Sequence, residues 1–400
     1  MMRRAGMNFE EIKKLDETYV MHTYGRYSVA LARGTGAKLY DTEGKSYIDL
    51  NAGIGVSCLG HAHPALTKAI AEQAGKLLQA SNLYYTEPMV KAAQKLVKRS
   101  GMKKVFFANS GAEANEGMLK LARKYAFKKY GGTRYKILTL KDSFHGRTLA
   151  ALKATGQARF HQYFGPFPEG FSYLQPNEIG DLKAQADESV CAVLMELVQG
   201  ESGVCPLDQG YVKEAAAYCE ANDILLLIDE VQTGVGRCGT FFAYEQYGVT
   251  PDLVSAAKGL GGGVPIGAVL AGEKCADVFE PGDHGTTFGG NALATAAAGV
   301  VIETVGEEAF LSGVREKGAY LREKLREISS PHIKEVRGLG LMIGIELDTT
   351  ELKPYIEALT KKGVLAITAG KNVIRLLPPL VISYEEIDTA LAAMKEVFIA

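Results

Sequence analysis

The 400-residue chain has no surplus of either charge: 45 lysines and arginines stand against 46 aspartates and glutamates, a formal net of −1. Affinity for nucleic acid rests on clustered positive charge, so this balance argues against a nucleic-acid partner. Long apolar runs are missing too. The most apolar stretches, residues 224–228 and 292–302, fall well short of the roughly 18 residues a membrane span needs, so no membrane partner is expected. Near the N-terminus, Asn8, Glu10, Glu11, Lys13 and Lys14 occupy the place where a signal peptide would be apolar. The six cysteines (Cys58, Cys191, Cys205, Cys219, Cys238, Cys275) form no C-x-x-C pair. Neither a metal site nor a disulfide framework is expected, and the expected compartment is the reducing cytoplasm. Low hydrophobicity is absent as well: 47% of residues are hydrophobic and 23% charged, which excludes a disordered chain.

What the chain does have is alternation. Short apolar runs at 105–108, 136–140, 190–195, 224–228, 253–257 and 267–271 are each followed by a polar or glycine-rich turn. Helical patterns lie between them, including 112–130 and 209–222. In the first, Met118, Leu121, Ala122 and Tyr125 fall at i, i+3, i+4, i+7. This is the βα signature of a mostly parallel sheet covered on both faces. The chain ends read differently. Residues 29–50 suggest a small antiparallel meander turning at Asp41-Thr42-Glu43-Gly44. Residues 310–328 and 384–398 suggest amphipathic helices around strands near 341–347 and 373–376. The expected organisation is a large domain over 61–300, with a smaller domain assembled from 1–60 and 301–400.

In an open α/β sheet, ligands bind beyond the carboxyl ends of the strands. After 105–108 comes Asn109-Ser110-Gly111-Ala112-Glu113, where S-x-x-E reads as a capping box. Small residues at a positive helix terminus also suit a phosphate. After 136–140 comes Asp142-Ser143-Phe144-His145-Gly146-Arg147, with a ring able to stack and a guanidinium able to clamp a carboxylate. His145 reads as a packing residue rather than a general base. After 190–195 comes Glu196, then Gln199-Gly200-Glu201, and after 224–228 comes Asp229-Glu230-Val231-Gln232. A charge at a buried strand end needs a partner. After 253–257 comes Lys258, ahead of Gly259-Leu260-Gly261-Gly262-Gly263. Those glycines lack the spacing of a dinucleotide fingerprint. Taken singly, each pattern also fits an ordinary cap, surface turn or solvated charge. Taken together, a phosphate cradle, a ring stacker, an acid and a lysine able to form a Schiff base describe one ligand, pyridoxal 5′-phosphate. The acid keeps the pyridine nitrogen protonated.

Four stretches then resemble the class III (ω-amino) aminotransferases of pyridoxal-phosphate fold type I. They are FFANSGAEAN at 106–115, LIDEVQTG at 227–234, AAKGLGGG at 256–263 and HGTTFGGN at 284–291. The resemblance runs from about Val29 to the C-terminal helix. It implies an α/β chain of the aspartate aminotransferase-like fold, with a mostly parallel sheet in the large domain and a smaller α+β domain. NAGIGV at 51–56, LGHAHP at 59–64 and IRLLPP at 374–379 are similar to the subfamily that acts on N2-acetylornithine. Two positions depart from the usual wording: Cys238 stands where threonine is common, and Thr286 where serine is.

The resemblance implies a role for each site residue. Lys258 would hold the cofactor aldehyde and shuttle a proton, and Asp229 would pair with the ring nitrogen. Val231 and Gln232 would line the ring, with Gln232 on its hydroxyl, and Phe144 would stack on it. Ser110, Gly111 and Ala112 would bind the phosphate, joined by Thr287 from the other subunit of a homodimer. Arg147, with Thr286 nearby, would take the carboxylate of the ω-amine substrate. Arg375 would take the α-carboxylate of glutamate or 2-oxoglutarate, with Glu201 hiding its charge during the other half-reaction. No metal is expected. The implied reaction moves the terminal amino group of N2-acetylornithine to 2-oxoglutarate, a step of arginine synthesis. The alternatives are another ω-amine donor (ornithine, succinylornithine, 4-aminobutyrate) or an aminomutase on the same fold.

Overall fold

A computed structural model of the chain describes residues 6–399. The apolar runs become strands of one seven-stranded sheet. Its order is Lys104–Ala108, Gly267–Ala271, Leu253–Ala256, Leu225–Asp229, Val190–Met195, Lys136–Leu140, Phe171–Leu174. Every pairing is parallel except the two made by Gly267–Ala271, which runs against both neighbours. The central strands Val190–Met195 and Leu225–Asp229 are buried along their whole length, as strands covered on both faces must be.

The two faces follow from the two-residue period of a strand. Leu225 and Leu227 pack in one cluster with Ala114, Met118 and Ala122 of the helix Gly111–Tyr130. Leu226 and Ile228 point into the larger cluster with Val212 and Ala215 of the helix Gln209–Ala221. Both helices stand within a residue of their expected limits. Three strands differ from expectation by one residue, Lys104–Ala108 by beginning one residue early. Leu225–Asp229 carries Asp229 as its last member, and Leu253–Ala256 stops short of Ala257.

The seventh strand, Phe171–Leu174, was not expected. It lies on the sheet edge and is only partly buried, so its short F-S-Y-L run carries little of the apolar signal.

Near the N-terminus, Leu31–Thr35, Lys38–Asp41 and Ser46–Asp49 form the expected antiparallel meander. A strand from far along the chain, Val364–Leu365, adds to it in parallel beside Ser46–Asp49. A further sheet runs Ile333–Leu339, Met342–Leu347, Val373–Leu376, Ile367–Ala369, all antiparallel. The strand 333–339 was not expected; it pairs with Met342–Leu347 as a hairpin that turns between Leu339 and Met342. Arg375 projects from this sheet's third strand.

Candidate active site

The carboxyl ends of Lys104–Ala108, Lys136–Leu140, Val190–Met195, Leu225–Asp229 and Leu253–Ala256 open onto a cavity of about 420 Å³. Nine of the thirteen expected site residues line it: Ser110, Gly111, Ala112, Phe144, Arg147, Asp229, Val231, Gln232 and Lys258.

The helix Gly111–Tyr130 presents its N-terminus to this cavity. Ser110 Oγ accepts from the amide of Glu113, as half of a capping box would. The other half is displaced by one residue. Glu113 Oε2 accepts from the backbone and side-chain nitrogens of Asn109 at 2.8 and 2.7 Å rather than from Ser110. The amides of Gly111 and Ala112, at the first positions of the helix, have no acceptor within it. Gly111 is required by close packing, since a Cβ there would stand 2.6 Å from Val231 Cγ1.

Asp229 is 3% exposed and surrounded by donors. Its Oδ1 accepts from the amide of Val231 at 2.9 Å. Its Oδ2 accepts from Asn115 Nδ2 at 2.7 Å and lies 2.8 Å from His145 Nδ1. Three donors fix the carboxylate at the floor of the cavity and compensate the cost of burying it. Asn115 and His145 are thus site residues that reading the sequence did not assign. Asn115 offered a signal: it shares the helix face of Met118 and Ala122, where a lone amide needs a partner. His145 offered none, since its contact spans 84 residues.

Lys258 begins a short 3-10 turn with φ of +44°, a left-handed conformation rare outside glycine. Burial pulls its ammonium below the ordinary lysine range, against the attraction of Glu201. Its amine makes no ion pair among the described residues. Glu196, at the end of Val190–Met195, is buried beside them and was not among the expected site residues. Burial pushes its carboxyl up, with His145 opposing and Asp229 reinforcing the shift. Phe144 forms part of the wall, its ring edge against Phe160. The exposed Arg147 guanidinium lies 4.0 Å from the Phe160 ring centroid and 5.5 Å from that of Phe144.

Four expected residues stand outside the lining. Arg375 is 2% exposed, and its NH1 donates to Glu201 Oε1 at 2.7 Å, to Gln232 Oε1 at 3.0 Å and to the carbonyl of Gly200 at 3.1 Å. Burial raises the Glu201 carboxyl, but the Arg375 charge and hydrogen bond outweigh it and hold it below the usual range. Gln232 thereby joins the cavity to the Arg375–Glu201 pair. Thr286 Oγ1 accepts from Asn109 at 2.8 Å, one residue from the helix terminus. Thr287 is exposed, on a second cavity lined by Leu83 and Met89. Cys58 is buried and donates to the carbonyl of Gly259; burial pushes its thiol up to about 12, a packing group and not a nucleophile.

The donor set fits pyridoxal 5′-phosphate. The cavity offers amides at a helix N-terminus for an anion, a fixed carboxylate, a ring wall and a lysine amine that burial drives toward its neutral form. Two buried atoms next to Asp229, His145 Nε2 and Asn115 Oδ1, have no partner within the chain, so the polar cluster is not saturated by the protein alone.

Sequence and structural relatives agree. The chain belongs to the class III aminotransferases: the family model described as Aminotransferase class-III matches residues 19–398. It is 50% identical over 384 residues to an acetylornithine aminotransferase of Caldanaerobacter subterraneus, covering 96% of this chain and 98% of that protein. It is 48% identical to an acetylornithine aminotransferase of Haemophilus ducreyi, covering 98% and 99%. Among solved structures, the ornithine aminotransferase of Toxoplasma gondii matches with a TM-score of 0.94 at 33% identity, over 98% of this chain and 94% of that one. The acetylornithine aminotransferase of Elizabethkingia anophelis matches at 0.88 and 32%, over 98% and 99%.

Proposed function

We propose that the protein transfers the terminal amino group of N2-acetyl-L-ornithine to 2-oxoglutarate, giving N-acetyl-L-glutamate 5-semialdehyde and L-glutamate, in arginine biosynthesis. The observation that carries this reading is the meeting of Lys258, Asp229 and the Gly111–Ala112 helix terminus in one cavity, with the Arg375–Glu201 pair behind Gln232. The naming of the sequence relatives supports the choice of amine.

When bound, pyridoxal 5′-phosphate supplies the aldehyde that takes up the amino group and the ring that draws electrons from the reacting carbon. The chain's residues do the rest. Ser110, Gly111 and Ala112 hold the phosphate, and Asp229 keeps a proton on the ring nitrogen. Val231, Gln232 and Phe144 hold the ring in its plane. Lys258 Nζ, which burial drives toward its neutral form, would take a proton from the substrate carbon and deliver it to the cofactor carbon that carried the aldehyde. Arg147 at the rim clamps the carboxylate of the acetylated substrate, with Thr286 assisting as the resemblance implies. Arg375 stays masked by Glu201 in that half-reaction and is released to bind the α-carboxylate of glutamate in the other.

We also read the protein as a cytoplasmic homodimer, its six cysteines without a C-x-x-C pair fitting a reducing compartment. Leu83, Tyr85 and Phe288, which are 88%, 98% and 61% exposed, support a second copy over the cavity that holds Thr287. In that arrangement Thr287 completes the partner's phosphate site. The division into 61–300 and a smaller domain from 1–60 and 301–400 is supported by the pairing of Ser46–Asp49 with Val364–Leu365.

The test is a visible absorption spectrum of the holoenzyme during addition of single amines. N2-acetylornithine should abolish the cofactor band and 2-oxoglutarate should restore it. Loss of the band with ornithine or 4-aminobutyrate, and not with N2-acetylornithine, would overturn the substrate and leave the aminotransferase.

A further inference from the structure

The Arg375–Glu201 pair is not an isolated contact. Its neighbour Gly200 is held from three sides. The Gly200 carbonyl accepts from Arg375 NH1 at 3.1 Å. Its Cα presses on Gln232 so closely that a Cβ would stand 2.3 Å from Gln232 Oε1. Its amide donates to Glu196 Oε2 at 3.4 Å. The other oxygen of the same carboxylate, Oε1, accepts from the amide of Phe144 at 2.7 Å. Glu196 is 4% exposed and lines the cavity. One buried carboxylate therefore spans two loops: residues 141–148, which carry Phe144 and Arg147, and residues 199–201, which carry Glu201.

We propose that Glu196 is a positioning residue for substrate choice, fixing the turn at Gly200 so that Glu201 covers Arg375. This rests on the reading of Glu201 as a mask. The amide of Phe144 is half-buried and that of Gly200 buried, and the two carboxylate oxygens satisfy one each. With glutamine at 196, one oxygen serves one amide and the other amide faces a second donor. Phe144 N makes the shorter bond and keeps the oxygen. Gly200 then loses its anchor, the turn loosens and Glu201 covers Arg375 less completely. An exposed Arg375 favours α-carboxylate substrates over the ω-amine.

The experiment measures both half-reactions of the cofactor-loaded protein by single-turnover spectroscopy, for the wild type, E196Q, E201A and the double variant. The readout is the ratio of kcat/KM for N2-acetylornithine to that for glutamate. E201A should lower this ratio, and E196Q should lower it about tenfold, the scale of coupling within a shared hydrogen-bond network. In the E201A background the further effect of E196Q on the ratio should vanish. If E201A leaves the ratio unchanged, the mask falls and this inference falls with it. If E201A shifts the ratio while E196Q lowers both half-reactions equally, Glu196 is merely structural and the mask survives. Should E196Q not bind the cofactor, E196D carries the same test. Its shorter side chain also reaches only one amide, so the ratio should move in the same direction, and an unmoved ratio overturns the proposal.

Discussion

The floor and the rim of the cavity are built on opposite principles. At the floor, Asp229 takes three hydrogen bonds, from Val231, Asn115 and His145, and is all but excluded from water. At the rim, Arg147 is exposed and rests on aromatic faces, and Glu201 is partly exposed while gripping a buried Arg375. In the proposed reaction the floor meets one cofactor in every cycle, and the rim meets two substrates of different shape. Rigid hydrogen bonding suits the first task and exchangeable charge pairing the second.

Breaking the floor should cost most and cost both half-reactions alike. Lys258→Ala should lower the rate of each by roughly 10³- to 10⁴-fold, read in single-turnover experiments. Asp229→Asn should follow at about 10²-fold, with a changed visible spectrum, since the anion proposed to hold the ring proton is gone. At the rim the effect should be selective. Arg147→Lys should raise KM for N2-acetylornithine about tenfold with kcat within about twofold, because an ammonium loses the two-pronged grip. An equal loss for glutamate would erase the distinction between floor and rim.

The smallest effect lies beneath the floor and concerns stability. Glu230 is fully buried, accepts from Thr233 Oγ1 and the amide of Tyr244, and burial pushes its carboxyl up to about 7. It binds a proton more tightly in the folded chain than in the unfolded one. The folded state therefore loses stability as pH rises from about 5 to about 7, by at most about 3 kcal/mol. Glu230→Gln, which keeps an acceptor for the Tyr244 amide and reverses the Thr233 contact into one its amide nitrogen donates, should flatten the dependence of Tm on pH across that window.

Much of this was legible in the chain because it lies in short-range patterns. Six strands appeared as apolar runs, and Lys258 and Asp229 stood at the ends of two of them. What escaped reading depends on partners far away. His145 meets Asp229 across 84 residues, and Glu196 reaches back to Phe144 across 52. Glu113 was read as capping Ser110 and instead caps Asn109, a shift of one residue that spacing alone does not distinguish. The edge strand Phe171–Leu174 escaped because half-buried positions are not bound to be apolar.

The reversed strand Gly267–Ala271 has a consequence for the segment that carries Lys258. Parallel neighbours must be joined by a crossover that carries the chain to the far side of the sheet. Leu253–Ala256 and Gly267–Ala271 are antiparallel neighbours, so residues 257–266 leave and re-enter the sheet at the same edge. Lys258 thus rides on a strap buckled at both ends to the same end of the sheet.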